Sequence, residues 1–567
     1  MTPPALVAWI QQLQLPVFCS QSSRKLWGWS CLIGVWLPIG LETNSAWAAD
    51  RVTISYGILE RSIQVESLVQ YADDGTVAQD LRSYTQLLDD SQRQQLRQAL
   101  SARTDLDVVA VSQFLYTDQG EILLQRLGEV VRTDANLSGF YALRSALILA
   151  AASPEGLTFL NVLRQFPLEN IQIDLGRTLQ ILGDLEQLIR QTQEAVLLID
   201  QQAEIEAAAQ PLNPNLPSLQ RFGAFAWQLE VFEFRDQSRN RMLPVDLYLP
   251  HQRDQTPVLN TPVIVISHGL GSDRQSYAYL ARQLVSYGFA VAVLEHPGSN
   301  AQQLQALISG TASEVTTPAE FVDRPLDVSY VLDRLEELNQ GSLQGQFNLD
   351  QVGIVGHSFG GYTALALAGA EINFEQLTMD CAAGNPYNLS LLLQCRALDL
   401  AQPIQPLADP RIKAVIVINP IGSSLLGASD FSRIQVPVMI LGSSADTVTP
   451  VLLEQIQPFT WLSIPDRYLV ILQGATHFST IEVPPEASAN AIQLPSELVG
   501  ADPSIAKAYL KVLSTGFFQA YLMQMVTARD YLESAYVQTI NQAELPVALV
   551  QTLGFTLTQN EPMSLVR

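Results

Sequence analysis

Much that would mark a nucleic-acid binder, a metalloprotein or a membrane-embedded chain is scarce in this sequence. Lysine and arginine number 32 against 56 aspartates and glutamates, a formal net charge of -24, and such a field repels phosphate backbones and anionic lipid surfaces. Nucleic acid is therefore not expected as a partner. There are four cysteines, Cys19, Cys31, Cys381 and Cys395; the last two have neither a nearby histidine nor a C-x-x-C neighbour, so neither a metal site nor a cofactor is expected. Histidines number five. No apolar run reaches the roughly 20 residues of a membrane-spanning helix, and no segment repeats. Core-forming material, by contrast, is plentiful: of 567 residues, 47% are apolar and 16% charged, the balance of a globular protein long enough for two domains.

The start of the chain has the layout of an export signal. Arg24 and Lys25 precede LWGWSCLIGVWLPIGL, and NSAWAAD places small residues at Ala46 and Ala48, the basic, apolar, A-x-A order of a cleavable signal. Residues 1–49 are expected to be removed near Ala48 and the product exported to the cell envelope or beyond; a retained membrane anchor is the alternative, disfavoured by Pro38 and Glu42. In an exported chain, Cys381 and Cys395 are then a leftover pair close in sequence, which favours a disulfide over two buried thiols.

Residues 50–210 read as a mainly helical module, with apolar residues three and four apart in segments such as GFYALRSALILAAA. The proline-rich stretch 211–224 reads as a linker. From 225 to 567 the pattern changes. WQLEVFEF and MLPVDLYLP look like paired opening strands, and the short apolar runs PVIVISHG, FAVAVLEH, QVGIVGHS, IKAVIVINP, VPVMILGS and RYLVILQG alternate with helical stretches. Continuous apolar strands separated by helices predict an α/β fold, a mostly parallel sheet buried on both faces. Ligands bind such sheets at the carboxyl ends of the strands.

The residues that follow those runs carry the chemistry. In Gly356-His357-Ser358-Phe359-Gly360 a strand must reverse into a helix within about one residue, which exposes Ser358 at the apex of a nucleophile elbow while the glycines permit close backbone contact. A serine hydroxyl needs a base to accept its proton. With the order Ser, acid, His, only His477 in LQGATHFS fits as base, and Asp446 in VMILGSSADTVTP, after a strand and between the two, fits as the acid. The developing oxyanion needs donors, for which position suggests the backbone N–H groups of Phe359 and of Leu270 in SHGLG. His268 and Gly269 then shape that loop.

SHGLG, the EH after the next strand, and GHSFGG stand here in the order and setting of the platelet-activating factor acetylhydrolase family and of related bacterial predicted dienelactone hydrolases, which residues 225 to 480 resemble. The resemblance implies an α/β-hydrolase fold and a metal-free serine esterase with Ser358 as nucleophile and His477 as base. It also implies an acid after IKAVIVINP, where this chain has Asn419, so Asp446 takes the more common hydrolase position instead. Residues 50 to 210 resemble an uncharacterised helical module that precedes such domains in some bacterial proteins.

The expected function is thus ester hydrolysis through an acyl-enzyme, on a small-molecule ester or lipid substrate of lipid-type or short-chain acyl character. An acyltransferase or polyesterase on the same triad, and an idle hydrolase scaffold used for binding, are the alternatives. Residues 372–410 form a lid-like insertion in which Leu391, Leu392 and Leu393 either meet an acyl chain or join the core.

Overall fold

The computed structural model describes residues 49–555 apart from 58, 105–106, 211, 384, 386, 483–499 and 501. The expected signal segment, its first two cysteines, and most of 484–504 lie outside the described residues. Two compact units divide the chain, one of residues 1–182 with 306–313 and the other of 183–305 with 314–567.

In the first unit, helices Val65–Asp74, Asp90–Ser101, Val108–Leu115, Asp118–Val130 and Phe140–Ala152 bear out the helical expectation. They are joined by strands it omitted. A four-stranded sheet runs Leu59–Gln64, Arg51–Tyr56, Asn170–Asp174 and Val131–Arg132 in spatial order. Its centre pairs distant residues: Thr53 and Asn170, 117 positions apart, share a hydrogen bond of 2.7 Å. The strands Arg51–Tyr56 and Leu59–Gln64 pair as a local antiparallel hairpin that the helical reading passed over, whereas the pairing of Arg51–Tyr56 with Asn170–Asp174 is too remote in sequence to leave a local signal. The unit has its own core of Val111, Leu115, Leu124, Ala146, Phe166 and Ile171.

The second unit is built on a nine-stranded sheet. In chain order its strands are β1 (Ala226–Asp236), β2 (Arg241–His251), β3 (Thr261–Ser267), β4 (Ala290–Leu294), β5 (Phe347–His357), β6 (Ile412–Ile418), β7 (Val438–Ser443), β8 (Arg467–Leu472) and β9 (Val547–Val550). The spatial order is β1-β2-β4-β3-β5-β6-β7-β8-β9. Strands β4, β3, β5, β6, β7 and β8 are mutually parallel; β1 is antiparallel to β2, β2 to β4, and β9 to β8. All six apolar runs and the opening pair are strands. Strand β9 falls in a stretch that sequence patterning left unassigned, because four residues on a sheet edge carry too short a pattern.

Alternation within the buried strands feeds two cores. Val263 and Val265 join one with Val328, Val331 and Leu335 of helix α2 (Glu320–Gln340); Ile264 and Ile266 join the other with Leu280 and Leu284 of helix α1 (Ala278–Ser286). Each such fully buried side chain contributes about 1.5–3 kcal/mol. Ala195, Ile199 and Ala203, one turn apart, lie in the first of these cores, so the end of the long helix Leu175–Ala209 belongs to the second unit. The segment read as a linker is, from residue 212 on, likewise packed there. Leu219 is buried, its carbonyl accepts from Gln283 at 2.7 Å, and the Gly223 amide donates to Ser286 at 2.9 Å. Its prolines and asparagines break the helix without detaching the chain.

After the elbow helix α3 (Phe359–Leu367), the insertion forms helix α4 (Phe374–Ala383) and the short turns Leu391–Gln394 and Cys395–Asp399. Leu377, Leu391 and Ala397 are buried and Leu393 packs on the core, so most of the leucine run is core. Cys381 and Cys395 are joined in a disulfide with Cα atoms 5.8 Å apart. For a crosslink closing a loop of 14 residues, the double substitution Cys381→Ser and Cys395→Ser is expected to cost about 3 kcal/mol. Denaturant unfolding with and without reductant measures this.

Candidate active site

The elbow is where sequence and backbone meet most tightly. Ser358 follows β5 with φ 54° and ψ -114°, a conformation that costs a non-glycine residue about 1–3 kcal/mol. Neighbours enforce it: the Ser358 N–H donates to Ile418 O at 2.9 Å, and its carbonyl accepts from Gly361 at 2.9 Å, Tyr362 at 3.3 Å and Ile421 at 3.3 Å. The flanking glycines are required by space. A Cβ on Gly356 would stand 2.0 Å from Gly360 O, and one on Gly360 would stand 2.1 Å from Ser267 O.

Helix α5 (Ser423–Phe431) follows β6, and loops after β7 and β8 bring the remaining groups to the same edge. His477 Nδ1–H donates to Asp446 Oδ2 at 2.6 Å. The carboxylate is fully used: Oδ1 accepts from the amides of Val448 and Thr449 at 2.8 Å each, and Oδ2 also accepts from Thr449 Oγ1 at 2.7 Å. A buried carboxylate is tolerable only when satisfied in this way. With Nδ1 committed, Nε2 is the ring nitrogen left to act as a base. Ser358 is 6% exposed, His477 4% and Asp446 6%, so all three lie beneath the surface. Among the described residues the Ser358 hydroxyl has no hydrogen-bond partner.

His357 and Asn419 hold the histidine loop. His357 Nε2–H donates to His477 O at 3.0 Å, and Asn419 Nδ2 donates to the same carbonyl at 3.3 Å and to Ser443 Oγ at 3.1 Å. Asn419 Oδ1 takes the Ser443 N–H at 2.9 Å. The asparagine that stands at the acetylhydrolase acid position is therefore a strut between β6, β7 and the His477 loop. Patterning flagged Asn419 only as a departure, and it missed Thr449 altogether, since their roles exist only once three strand ends are side by side.

The SHGLG loop follows β3. His268 Nδ1–H donates to Gly269 O at 2.7 Å, and its Nε2 accepts the His296 amide at 3.0 Å, so its ring bridges this loop and the start of the loop after β4. The N–H groups of Leu270 and Phe359 donate to no other group among the described residues. Burial, reinforced by neighbouring arginine or imidazole charge, pushes His268, His296 and His357 well below the usual imidazole range. All three are neutral near pH 7.

Glu454, which patterning also missed, pins the insertion. Its Oε1 accepts from Asn388, Ser390, Gln394 and Ser423 side chains at 2.5 to 2.8 Å, and Oε2 from the Gly422 and Ser423 amides at 3.0 Å each. The insertion is thus tied to the start of α5, four residues beyond Asn419. Among the described residues no group of side chains suited to a metal ion occurs, and no helix is long and apolar enough to cross a membrane.

Two family models match the chain. One, described as an alpha/beta hydrolase of unknown function (DUF1400), covers residues 48–174, the module ahead of the sheet; the other, serine aminopeptidase S33, covers residues 260–387, from β3 through the elbow. The chain is 28% identical over 144 residues to the platelet-activating factor acetylhydrolase of Cavia porcellus and 25% over 147 residues to that of Canis lupus familiaris. The enzyme of Bos taurus matches at 26% over 149 residues. Each match covers 20% of this chain and 33% of the relative, so the chain spans about a third of the length of the curated relatives it matches. Sheet order and family matches agree on an α/β-hydrolase fold.

The Asn419 strut is open to direct test. In Asn419→Asp an oxygen replaces the N–H that faces His477 O, so a loss of about 1–3 kcal/mol is expected, whereas an acid able to replace Asp446 would rescue Asp446→Asn. Chemical denaturation and activity of the single and double variants distinguish the two.

Proposed function

We propose that this α/β hydrolase cleaves carboxylic esters through an acyl-enzyme on Ser358, with His477 as general base and Asp446 as the acid that orients it. The observation that carries the reading is the 2.6 Å Asp446–His477 hydrogen bond at the strand edge where the elbow holds Ser358. Nε2 of His477 takes the Ser358 proton as Oγ attacks the ester carbonyl. The negative charge formed on the carbonyl oxygen is met by the Leu270 and Phe359 amides, both free to donate. The imidazolium then hands its proton to the departing alcohol, and water releases the acid by the reverse sequence. Asp446, already saturated with donors, stabilises the imidazolium without taking its proton.

Lipid-type or short-chain acyl esters are the proposed substrates, supported by likeness to enzymes named for the acetyl ester of platelet-activating factor. Export to an oxidising compartment is proposed with them, since the Cys381–Cys395 bridge is of a kind that persists there.

Ser358→Ala is expected to abolish turnover and fluorophosphonate labelling without loss of stability; labelling that survives it sinks the reading, and labelling absent from the unaltered protein indicates an idle scaffold. Asp446→Asn should lower kcat by about 10⁴-fold, the usual effect of removing a triad carboxylate. Because His268, His296 and His357 are held neutral by burial, none of the three should take up a proton on the acid side of the log kcat/KM profile, whose slope should therefore not exceed one. A slope of two in a pH–rate profile would contradict this.

A further inference from the structure

Arg324 lies in the first turns of α2, fully buried, and its guanidinium reaches both loops that carry the free amides. On the SHGLG side Nη2 donates to the carbonyl of His268 and to Ser267 Oγ at 3.4 Å. On the elbow side Nε donates to Thr363 Oγ1 at 3.3 Å, and the cation stands 4.6 Å from the Phe359 ring centre. Nη1 donates to Ser299 Oγ at 2.9 Å, and the Ser299 carbonyl accepts the Gly271 amide at 2.8 Å.

The two donor peptides share one construction. The carbonyl of the Gly269–Leu270 peptide accepts His268 Nδ1–H at 2.7 Å and Ser272 N–H at 3.3 Å. That of the Ser358–Phe359 peptide accepts the three amides of Gly361, Tyr362 and Ile421. A trans peptide points its N–H away from its C=O, so tying each carbonyl aims the opposite N–H, and the bonded carbonyl polarises it further. Arg324 grips the frame behind both peptides.

The charge is compensated on the same helix. Glu320 and Asp327, both buried, stand one turn to either side of Arg324 and pair with Arg241 at 2.6 and 2.7 Å. Asp327 also meets Arg239 at 2.8 Å and His296 Nδ1 at 3.0 Å. Burial pulls the guanidinium down to about 9 while the two carboxylates hold it up; at neutral pH it is a cation.

We infer that Arg324 is a positioning residue for the oxyanion: one buried guanidinium that sets the spacing of the Leu270 and Phe359 amides and, through the His268 backbone and ring, the aim of the first. The inference rests on the esterase reading. A planar fork with five donors spans these acceptors, and a lysine ammonium at the same site reaches only some of them.

Arg324→Lys keeps the charge that balances Glu320 and Asp327 and is the variant of choice. In the full-length protein its melting temperature should stay within a few degrees. Its kcat for a soluble aryl ester should fall about 100-fold, as when a single oxyanion donor is lost, with KM changed less than about threefold. Affinity for phenylboronic acid, which forms a tetrahedral adduct on the serine, should weaken in the same proportion as kcat/KM. His268→Phe should behave alike, and His268→Asn, whose Nδ2 stands near the lost Nδ1, should recover much of the rate. A folded Arg324→Lys protein with unaltered kcat and boronate affinity overturns the assignment. If that variant fails to fold, unaltered kcat in His268→Phe, or no recovery in His268→Asn, overturns it instead. Unaltered protein that neither hydrolyses the ester nor labels at Ser358 defeats the esterase reading itself, an outcome separable from the others.

Discussion

A carboxylate taken out of water must be surrounded by donors, and at Asp446 that requirement organises the whole edge of the sheet. An unpaired buried charge costs several kcal/mol; the four hydrogen bonds to Asp446 come from two backbone amides, a threonine and His477, and each in turn fixes a piece of chain. The tight turn at 446–449 satisfies three, and the imidazole supplies the fourth, which decides its tautomer. The same His477 residue then has its carbonyl held by His357, next to the nucleophile, and by Asn419 from β6. The ends of four strands, β5 to β8, thus share a common geometry around one buried pair.

The same logic recurs in two buried clusters nearby. Glu454 gathers the insertion and the start of α5 around one carboxylate, and Arg324 gathers the SHGLG loop and the elbow helix around one guanidinium. Both are expensive to bury alone and inexpensive once saturated. Loops whose backbone would otherwise be free to move are thereby held by side chains from elements distant in sequence. The strain stored at Ser358, about 1–3 kcal/mol, is small beside the hydrogen bonds and the close glycine contacts that maintain it.

The first unit illustrates the opposite regime. It has its own core and a small sheet around Arg51–Tyr56 and Asn170–Asp174, yet its helices carry most of its sequence signal. Helical periodicity is local and survives in a single stretch of chain; pairing between Thr53 and Asn170 is not local and leaves no trace in either stretch. The packed segment 212–224 makes a related point. Its composition marks a break in the helix, but whether a break is a loose joint depends on what lies beside it, here Gln283, Ser286 and the second core.

Read alone, the residues determined the parallel strands, because short apolar runs alternating with helical stretches suit a sheet buried on both faces; the elbow, because only glycine allows the approaches at 356 and 360; and the candidacy of Asp446 and His477, because they stand after strands in the order that follows Ser358. Tertiary structure alone decided how those groups are held. Thr449, Glu454 and Arg324 look in sequence like any surface polar residue, Asn419 stands out only as a departure, and strand β9 and the remote pairings of the first unit's sheet leave no local pattern. The physical reason is that a hydrogen bond or a strand pairing between distant residues is a property of two positions at once, while a sequence pattern records one neighbourhood at a time.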